Sequence, residues 1–498
     1  MKGSRGWRTA LGAVAALTLT SCGLFGENDP VQIAAIGPLI ATPNPLNGAL
    51  SPPNAMLLAA SAQGLVGIDA EGQTDIGLAE RWTVTNDGLS YIFRIREAEW
   101  SDGRRVTAQD IARLITRYLA PTNRHPLRDN FVDVESVRAM TDQVIEIRLQ
   151  RPQSHLLELL AHPAMTLPNR GRGWGPLNAR RTDRGIVLVP QPDPLAPDPE
   201  AAQEAVEDPA GWVELRGVSA PVAIARFIDG SVDGVFGGRM ADFPVYVGSR
   251  ISRARLVVDP VPGLFGLAVV NANGFLANDR NRDALSMAID RARVIGAFGL
   301  NEWTPQASLR LSQKLRTTDV APLLPAWIEL PQAQRQARAA AIVAAYKAGG
   351  RRIEALRIAL PEGPGSRILF AWIAADLRAI GLSAQRVAMT DAADLRLIDE
   401  VAPADDPIWA FRRLTCGSAG GISCNREADA LLKDAEVSDD PEERARRIAA
   451  AETIMVRYAA WIPLATPLRW SVASPRLTGV RANNRGEHPL NRLRTAPN

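Results

Sequence analysis

The chain of 498 residues is short of histidine, cysteine and lysine, and these shortages exclude several classes of function. Of its four histidines, only His155 and His162 could share a helical face, which is too few ligands for a zinc or nickel site. The chain lacks G-x-S-x-G, H-E-x-x-H and Walker sequences. Its basic residues form no run dense enough to follow a nucleic-acid backbone. We therefore predict no cofactor, no functional metal, no nucleic-acid partner and no enzymatic activity.

Long apolar runs are also absent, except near the N-terminus. Residues 10–19 are small and apolar after a basic start, a pattern that is typical of an export signal and too short to span a bilayer. Leu19-Thr20-Ser21-Cys22 resembles the bacterial lipobox, in which a peptidase cuts before a cysteine that then carries lipid such as palmitate. We predict a lipoprotein signal peptide at residues 1–21, a tether at residues 22–30 and lipidation of Cys22. A plain secretory signal is the alternative.

The other two cysteines are Cys416 and Cys424, and the glycine-rich segment between them can turn. Export would place them in an oxidising compartment, where disulfides persist. A local disulfide is the first interpretation, and two buried free thiols are the second. A metal site is not expected, because no histidine lies nearby.

Local patterns predict a mixture of strands and helices. In residues 67–119, an Asn86-Asp87-Gly88 turn is followed by a strand in which apolar residues alternate with others. Thr107 can cap the helix that comes next. Residues 353–389 read as a β-α-β unit, which requires a parallel sheet.

The short motifs of this N-terminal region come in a characteristic order, at residues 63–65, 78–82, 87–96, 100–103 and 107–110. Similar motifs continue downstream, at residues 227–235, 282–291, 425–446 and 454–482. No single motif is specific, but the ordered set resembles family 5 of the bacterial extracellular solute-binding proteins, the peptide and nickel type that supply ABC importers. The resemblance runs from about residue 31 to the C-terminus.

This resemblance implies an α/β fold of two lobes, similar to the periplasmic binding proteins of class II and cluster C. Mixed sheets, a hinge and an extra subdomain in the first lobe are part of that expectation. Lobe I is expected at residues 31–50, 165–260 and 463–498, its subdomain at residues 51–164, and lobe II at residues 261–462.

One segment departs from the family pattern. Residues 190–211 contain six prolines and several acids where the family usually has an aromatic stretch. We predict an exposed acidic loop there.

The resemblance also places ligand contacts in a cleft between the lobes. Residues 402–411 resemble a cleft stretch of the family, which makes Asp406, Trp409 and Arg412, or Arg413 in its place, candidate ligand-binding residues. An arginine suits a carboxylate, and an aspartate suits an amine. A turn at Asp406 and core packing of Trp409 are the structural alternatives.

Two further candidate ligand-binding residues lie elsewhere in the sequence. Asn271 follows an apolar strand and resembles a family position at a lobe crossover, where a structural hydrogen bond is the alternative. Trp174 lies in a partial match to another family motif.

The function implied is a lipid-anchored substrate-binding protein of an ABC importer, which captures a peptide or similar small solute and delivers it to a membrane permease. Its partners would be the solute, the permease subunits and, through the N-terminal lipid, the membrane. The protein would act as a monomer on the periplasmic face of a bacterial membrane. The alternative is a non-transport sensor or scaffold protein that retained the solute-binding fold.

Overall fold

The computed structural model describes residues 29–40, 42–100, 103–168, 173–191, 198–309, 323–418, 421–438 and 440–496. The predicted signal peptide, Cys22 and all but the end of the predicted tether lie outside these ranges. Within them, no helix combines the length and the apolar character that crossing a membrane requires.

The strands of the described ranges fall into three larger sheets and two short pairs. In chain order they are β1 (Val31–Ile36), β2 (Val66–Ile68), β3 (Thr74–Ile76), β4 (Ala79–Val84), β5 (Ser90–Ile95), β6 (Val134–Thr141), β7 (Val144–Leu149), β8 (Leu177–Arg181), β9 (Ile186–Pro190), β10 (Val213–Val218), β11 (Gly234–Arg239), β12 (Leu256–Asp259), β13 (Gly263–Val269), β14 (Leu356–Ala359), β15 (Ala384–Val387), β16 (Leu395–Val401), β17 (Trp461–Ala465), β18 (Arg469–Ala473), β19 (Leu477–Thr478) and β20 (Arg494–Thr495).

Helices cover these sheets and connect their strands. They are α1 (Pro52–Ser61), α2 (Ala108–Leu119), α3 (Leu156–Ala161), α4 (Pro199–Glu207), α5 (Ala220–Ile228), α6 (Phe243–Gly248), α7 (Asp279–Ala288), α8 (Arg291–Gly296), α9 (Gln332–Ala348), α10 (Pro364–Ala379), α11 (Trp409–Arg413), α12 (Arg426–Glu436) and α13 (Pro441–Tyr458). The predicted cap of α2 is confirmed, because the Oγ1 of Thr107 accepts a hydrogen bond from the N–H of Asp110 at 3.2 Å.

Lobe I is built on a seven-stranded mixed sheet with the order β12-β18-β11-β1-β10-β9-β8. β1 is parallel to both β10 and β11, and all of its residues are buried. Burial on both faces accounts for its nearly continuous apolar sequence. Because β1, β10 and β11 run in the same direction, their carboxyl ends lie along one edge of the sheet. Arg239 is the last residue of β11 and therefore lies at this edge.

Lobe II is built on a five-stranded sheet with the order β15-β14-β16-β13-β17. The β-α-β unit predicted at residues 353–389 is confirmed: β14 and β15 pair in parallel, and α10 connects them. β16 extends the parallel part, whereas β13 is antiparallel to both β16 and β17. The sheet is therefore mixed, as the family resemblance implies.

A third sheet, antiparallel and four-stranded, has the order β4-β5-β7-β6. Together with α2 it encloses an apolar cluster of its own, which includes Phe93, Ile111 and Tyr118. This separate core agrees with the extra subdomain of the predicted fold. The two-lobed α/β architecture is thus confirmed.

The segment predicted to be an exposed acidic loop is partly helical instead. Within residues 190–211, α4 occupies Pro199–Glu207 and a short 3-10 helix follows at Pro209–Gly211. Both begin with proline, whose missing N–H costs nothing in a first helical turn. The prediction failed because it treated every proline in the segment as a loop signal.

The chain passes between the two large sheets at two places in the described ranges. Residues 260–262 connect β12 to β13, and residues 466–468 connect β17 to β18. The predicted boundary between residues 462 and 463 falls inside β17, because that strand pairs with β13 of lobe II. The other predicted boundaries stay predictions.

The lobes also meet where α10 begins. The backbone N–H of Gly365 donates to the carbonyl oxygen of Ala241 at 2.8 Å. A Cβ at Gly365 would lie 2.0 Å from the carbonyl oxygen of Met240. Only a glycine therefore lets the start of α10 approach the residues that follow β11.

We expect the Gly365→Ala variant to be less stable than the wild type by about 1–3 kcal/mol, because the added methyl group forces the two backbones apart. Urea unfolding followed by circular dichroism measures this difference. Gly296→Ala is the matched control, since Gly296 also lies in a helix and a Cβ there meets nothing within 4 Å. Equal losses in both variants would contradict the close contact.

Candidate functional site

A buried ion pair joins the two lobes next to the second crossing. The Nη1 of Arg469, the first residue of β18, lies 2.7 Å from the Oδ1 of Asp399 on β16. Only 12% and 14% of the two side chains are exposed. A second guanidinium nitrogen of Arg469 donates to the carbonyl oxygen of Asp399 at 3.2 Å. This pair marks the junction between the lobes.

Arg239 brings a second guanidinium to the same junction. Among the residues that the structure describes, this side chain has neither an ion pair nor a hydrogen bond, and its Nε is buried without a partner. Burial lowers the pKa of Arg239, and the positive charge of Arg469 lowers it further. The charges of Asp399, Asp242 and Glu487 oppose this change and raise the pKa of Arg239. Arg239 is thus a cation among acids, none of which it contacts directly.

Of these three acids, Asp242 and Glu487 have no direct partner among the described residues. Asp242 precedes α6, but its carboxylate makes no capping hydrogen bond, and burial raises its pKa. Burial raises the pKa of Glu487 to about 7, and the charge of Asp259 adds to this effect. In the described part of the chain, neither carboxylate has an ion pair or an accepted hydrogen bond. Arg239, Asp242 and Glu487 are called the junction triad below.

The backbone beneath the triad is held firmly. The Nε1 of Trp470 donates to the carbonyl oxygen of Arg239 at 2.9 Å. The indole lies so close to Gly238 that a Cβ there would be 2.2 Å from the ring. On the opposite side, Asp259 accepts from the backbone N–H of Asn483 at 3.0 Å and lies 3.2 Å from the Nε2 of His488. These contacts fix the chain on both sides of Glu487.

The triad has the chemistry to bind a solute that carries both signs of charge. A guanidinium forms two parallel hydrogen bonds with a carboxylate, and a carboxylate accepts hydrogen bonds from an ammonium group. Both interactions are stronger where water is excluded. Groups whose pKa is displaced by burial also concentrate at functional sites in general.

The structure places three of the predicted ligand-binding residues next to one another. The Nη2 of Arg412 lies 2.6 Å from the Oδ2 of Asp406, and Asp406 also accepts from the backbone N–H of Ile408 at 3.0 Å. Trp409 is 6% exposed in an apolar cluster with Phe411. The contacts described for these residues are structural, and their part in ligand binding stays a prediction.

The remaining candidates lie apart from one another. The Nδ2 of Asn271 donates to the Oδ1 of Asp394 at 2.7 Å. Trp174 is half-buried, and the guanidinium of Arg96 lies 5.1 Å from the centre of its ring. Ligand binding by either residue also stays a prediction.

Cys416 and Cys424 are joined by a disulfide in the structure. Asp429 lies beside it and accepts a hydrogen bond from the backbone N–H of Cys416 at 2.9 Å. Sulfur atoms in a disulfide are not thiolates, so this group of three residues lacks the ligands that a metal would need.

The junction triad is absent from the residues predicted from the sequence, although two of its members carry a usable signal. Arg239 and Asp242 directly follow a motif that was recognised at residues 227–235, and polar residues at the carboxyl end of a parallel strand are a usable signal. Glu487 carries no such signal. It reaches the site only because the C-terminal segment folds back over the crossings.

Comparison with known proteins identifies the family. Residues 75–400 match the sequence profile of a known family, which is described as "Bacterial extracellular solute-binding proteins, family 5 Middle". This chain belongs to that family. Its members are solute-binding proteins and not enzymes, as the sequence predicted.

Curated relatives match over part of their length. The glutathione-binding protein GsiB of Escherichia coli K12 is 31% identical over 163 residues, which are 32% of this chain and 30% of GsiB. The probable deoxycholate-binding periplasmic protein YgiS of the same strain is 31% identical over 121 residues, or 21% of this chain and 23% of YgiS. The matched region thus spans less than a third of these relatives.

Solved structures share the fold over almost the whole chain. Haemophilus influenzae OppA in complex with the peptide RPPGFSPFR has a TM-score of 0.75 at 18% identity, covering 94% of this chain and 100% of that one. The murein tripeptide binding protein MppA of Escherichia coli has a TM-score of 0.77 at 19% identity, covering 94% and 99%. An unliganded open form of MppA scores 0.63.

The raised pKa of Glu487 predicts a pH dependence of stability. In the folded state the carboxyl group of Glu487 keeps its proton up to a pH of about 7, whereas the ordinary pKa of a glutamate is 4.5. The folded state therefore carries a penalty that grows as the pH rises from 4.5 to about 7, and the free energy of unfolding falls over this range. The Glu487→Gln variant cannot ionise and escapes the penalty. Allowing for the partial exposure of this side chain, we expect it to be more stable than the wild type by about 2 kcal/mol at pH 8 and nearly equal at pH 4.5.

Urea unfolding at several pH values between 4.5 and 8 measures this difference. Glu329→Gln is the matched control, because Glu329 is an exposed acid. A gap between wild type and Glu487→Gln that stays constant with pH would show that Glu487 has an ordinary pKa.

Proposed function

We propose that this protein is the solute-binding component of an ABC importer and captures a small solute that carries both a carboxylate and an ammonium group, such as a peptide. The observation that carries the proposal is the junction triad, three charged side chains that lie where the lobes meet and have no direct partner in the described ranges. Arg239 would bind the carboxylate, and Asp242 and Glu487 would accept hydrogen bonds from the ammonium group.

The two crossings would act as the hinge of this receptor. A two-lobed protein that is joined by short segments opens and closes as its lobes rotate, and a ligand that contacts both lobes favours the closed state. The triad belongs to lobe I, whereas Asp399 and the start of α10 belong to lobe II. A bound solute would therefore lie between groups from both lobes.

The names of similar proteins agree with an amino-acid-derived solute. GsiB is named for glutathione, MppA for a murein tripeptide, and the OppA structure contains a peptide. A solute of this class would satisfy both signs of charge in the junction triad.

Anchoring and partners complete the proposal. Cys22 would carry the lipid that holds a monomer on the periplasmic face of the membrane, where it would deliver the solute to the permease subunits. A sensor or scaffold that retained the fold remains the alternative function, and it requires no solute in the cleft.

We expect peptides with a free carboxyl terminus to raise the melting temperature of the wild type. In the Arg239→Gln variant the affinity for such a peptide should fall about 10-fold to 100-fold, because a hydrogen bond to a charged group contributes about 1.5–3 kcal/mol. Calorimetric titration with one peptide in its free and C-terminally amidated forms measures the effect. Amidation of the peptide should weaken binding to the wild type and make little difference to the variant.

The matched control is Arg138→Gln, because Arg138 is exposed on β6 of the four-stranded sheet. It should leave affinity unchanged. If neither peptides, amino-acid derivatives nor any other solute in a broad library shifts the melting temperature, the sensor or scaffold function is favoured instead.

The lipid anchor has a test of its own. Cells that are grown with labelled palmitate should incorporate the label into the wild type, and the Cys22→Ser variant should lose it completely and leave the membrane fraction. Cys416→Ser together with Cys424→Ser is the control, since a cysteine outside the lipobox should not affect labelling. A labelled Cys22→Ser variant would contradict lipidation at this residue.

A further inference from the structure

A cavity of about 280 Å³ lies in lobe I, at the tip of the hairpin formed by β8 and β9. Its lining includes four arginines: Arg181 and Arg184 of the hairpin, Arg216 of β10 and Arg226 of α5. No residue of the junction triad lines it. It lies on the same sheet as the triad but beside different strands.

Positive charge dominates this cavity. Arg216 is neutralised by Glu214, whose Oε1 lies 2.6 Å from its Nη2. Asp183 is the acid of the lining. The charge of Asp229 also acts on Arg226. When these three carboxylates are set against the four guanidinium groups, one positive charge remains.

The remaining arginines have unused hydrogen-bonding capacity. The Nη1 of Arg226 is buried without a hydrogen-bond partner. Within the described ranges, the side chains of Arg181, Arg184 and Arg226 form no ion pair. A buried guanidinium nitrogen without a partner is costly, and an anion that supplies the missing acceptor would recover that cost.

The walls of the cavity are held in place before any ligand arrives. The Oγ1 of Thr182 accepts from the backbone N–H groups of Arg184 and Gly185, both at 3.2 Å. A Cβ at Gly185 would lie 2.6 Å from the carbonyl oxygen of Leu215, so the hairpin tip packs directly against β10. The backbone that carries the arginines therefore needs little ordering when it binds an anion.

We propose that this arginine cavity binds a phosphate group, either as a free phosphate compound or on a lipid headgroup. Guanidinium groups match the oxygens of a phosphate in pairs, and the excess of positive charge suits an anion. The cavity is larger than a single phosphate ion, so a phosphate ester also fits. The site is separate from the proposed solute cleft and does not depend on it.

Calorimetric titration of the full protein with inorganic phosphate and with glycerol phosphate tests the free form, and flotation with vesicles that contain phosphatidic acid tests the lipid form. We expect one site per molecule for at least one of these probes. Arg226→Gln and Arg181→Gln should each weaken binding at least tenfold, while Arg138→Gln, a change in the four-stranded sheet, should alter it less than twofold.

Arg184→Gln is a further variant for the case in which Arg226→Gln fails to fold, because Arg184 is exposed at the hairpin tip. Binding to vesicles alone would identify a headgroup as the source of the phosphate, and binding of the soluble probes would identify a free compound. Absence of binding to all three probes would overturn the proposal, and so would equal weakening by Arg138→Gln. Loss of phosphate binding in Arg239→Gln would overturn it too, because the phosphate would then lie in the cleft.

Discussion

The junction between the two large sheets depends on how the charges buried there are compensated. Arg469 and Asp399 meet there as an ion pair with little exposure. Taking both charges out of water costs several kcal/mol per ion, and close pairing with extra hydrogen bonds is what offsets this cost. The neighbouring charges of the junction triad receive no such compensation. The charges of the junction triad therefore lack direct partners among the described residues, and the proposed solute of complementary charge would supply them.

The contacts around the junction divide into those that hold the backbone and those that leave side chains available. Trp470 donates a hydrogen bond to the backbone carbonyl oxygen of Arg239, while the guanidinium of Arg239 has no partner among the described residues. Asp259 accepts a hydrogen bond from the backbone of Asn483 and lies close to the ring of His488. These contacts hold the segment that contains Glu487 without using the carboxylate of Glu487. This arrangement favours binding, because the backbone is already ordered in the folded protein and the charged side chains remain available to a ligand. It also lowers stability, a common consequence of functional sites.

Local signals in the sequence were sufficient for much of the fold. The cap at Thr107 and the β-α-β unit at residues 353–389 depend on neighbours in the chain, and both were predicted correctly. The prolines of residues 190–211 led to a wrong prediction, because proline both interrupts helices and begins them. The candidate site was harder. Arg239 and Glu487 lie nearly half the chain apart, and only the return of the C-terminal segment brings them together.

The junction triad and the arginine cavity should differ in the ligands that they accept. At the junction, Arg239 and Arg469 face Asp399, Asp242 and Glu487, so the acids leave no excess of positive charge. A dianion gains no net attraction there, whereas a zwitterion can place each of its charges beside the opposite one. The arginine cavity has an excess of one positive charge. The two sites would therefore favour different ligands, the junction a zwitterionic solute and the arginine cavity a phosphate.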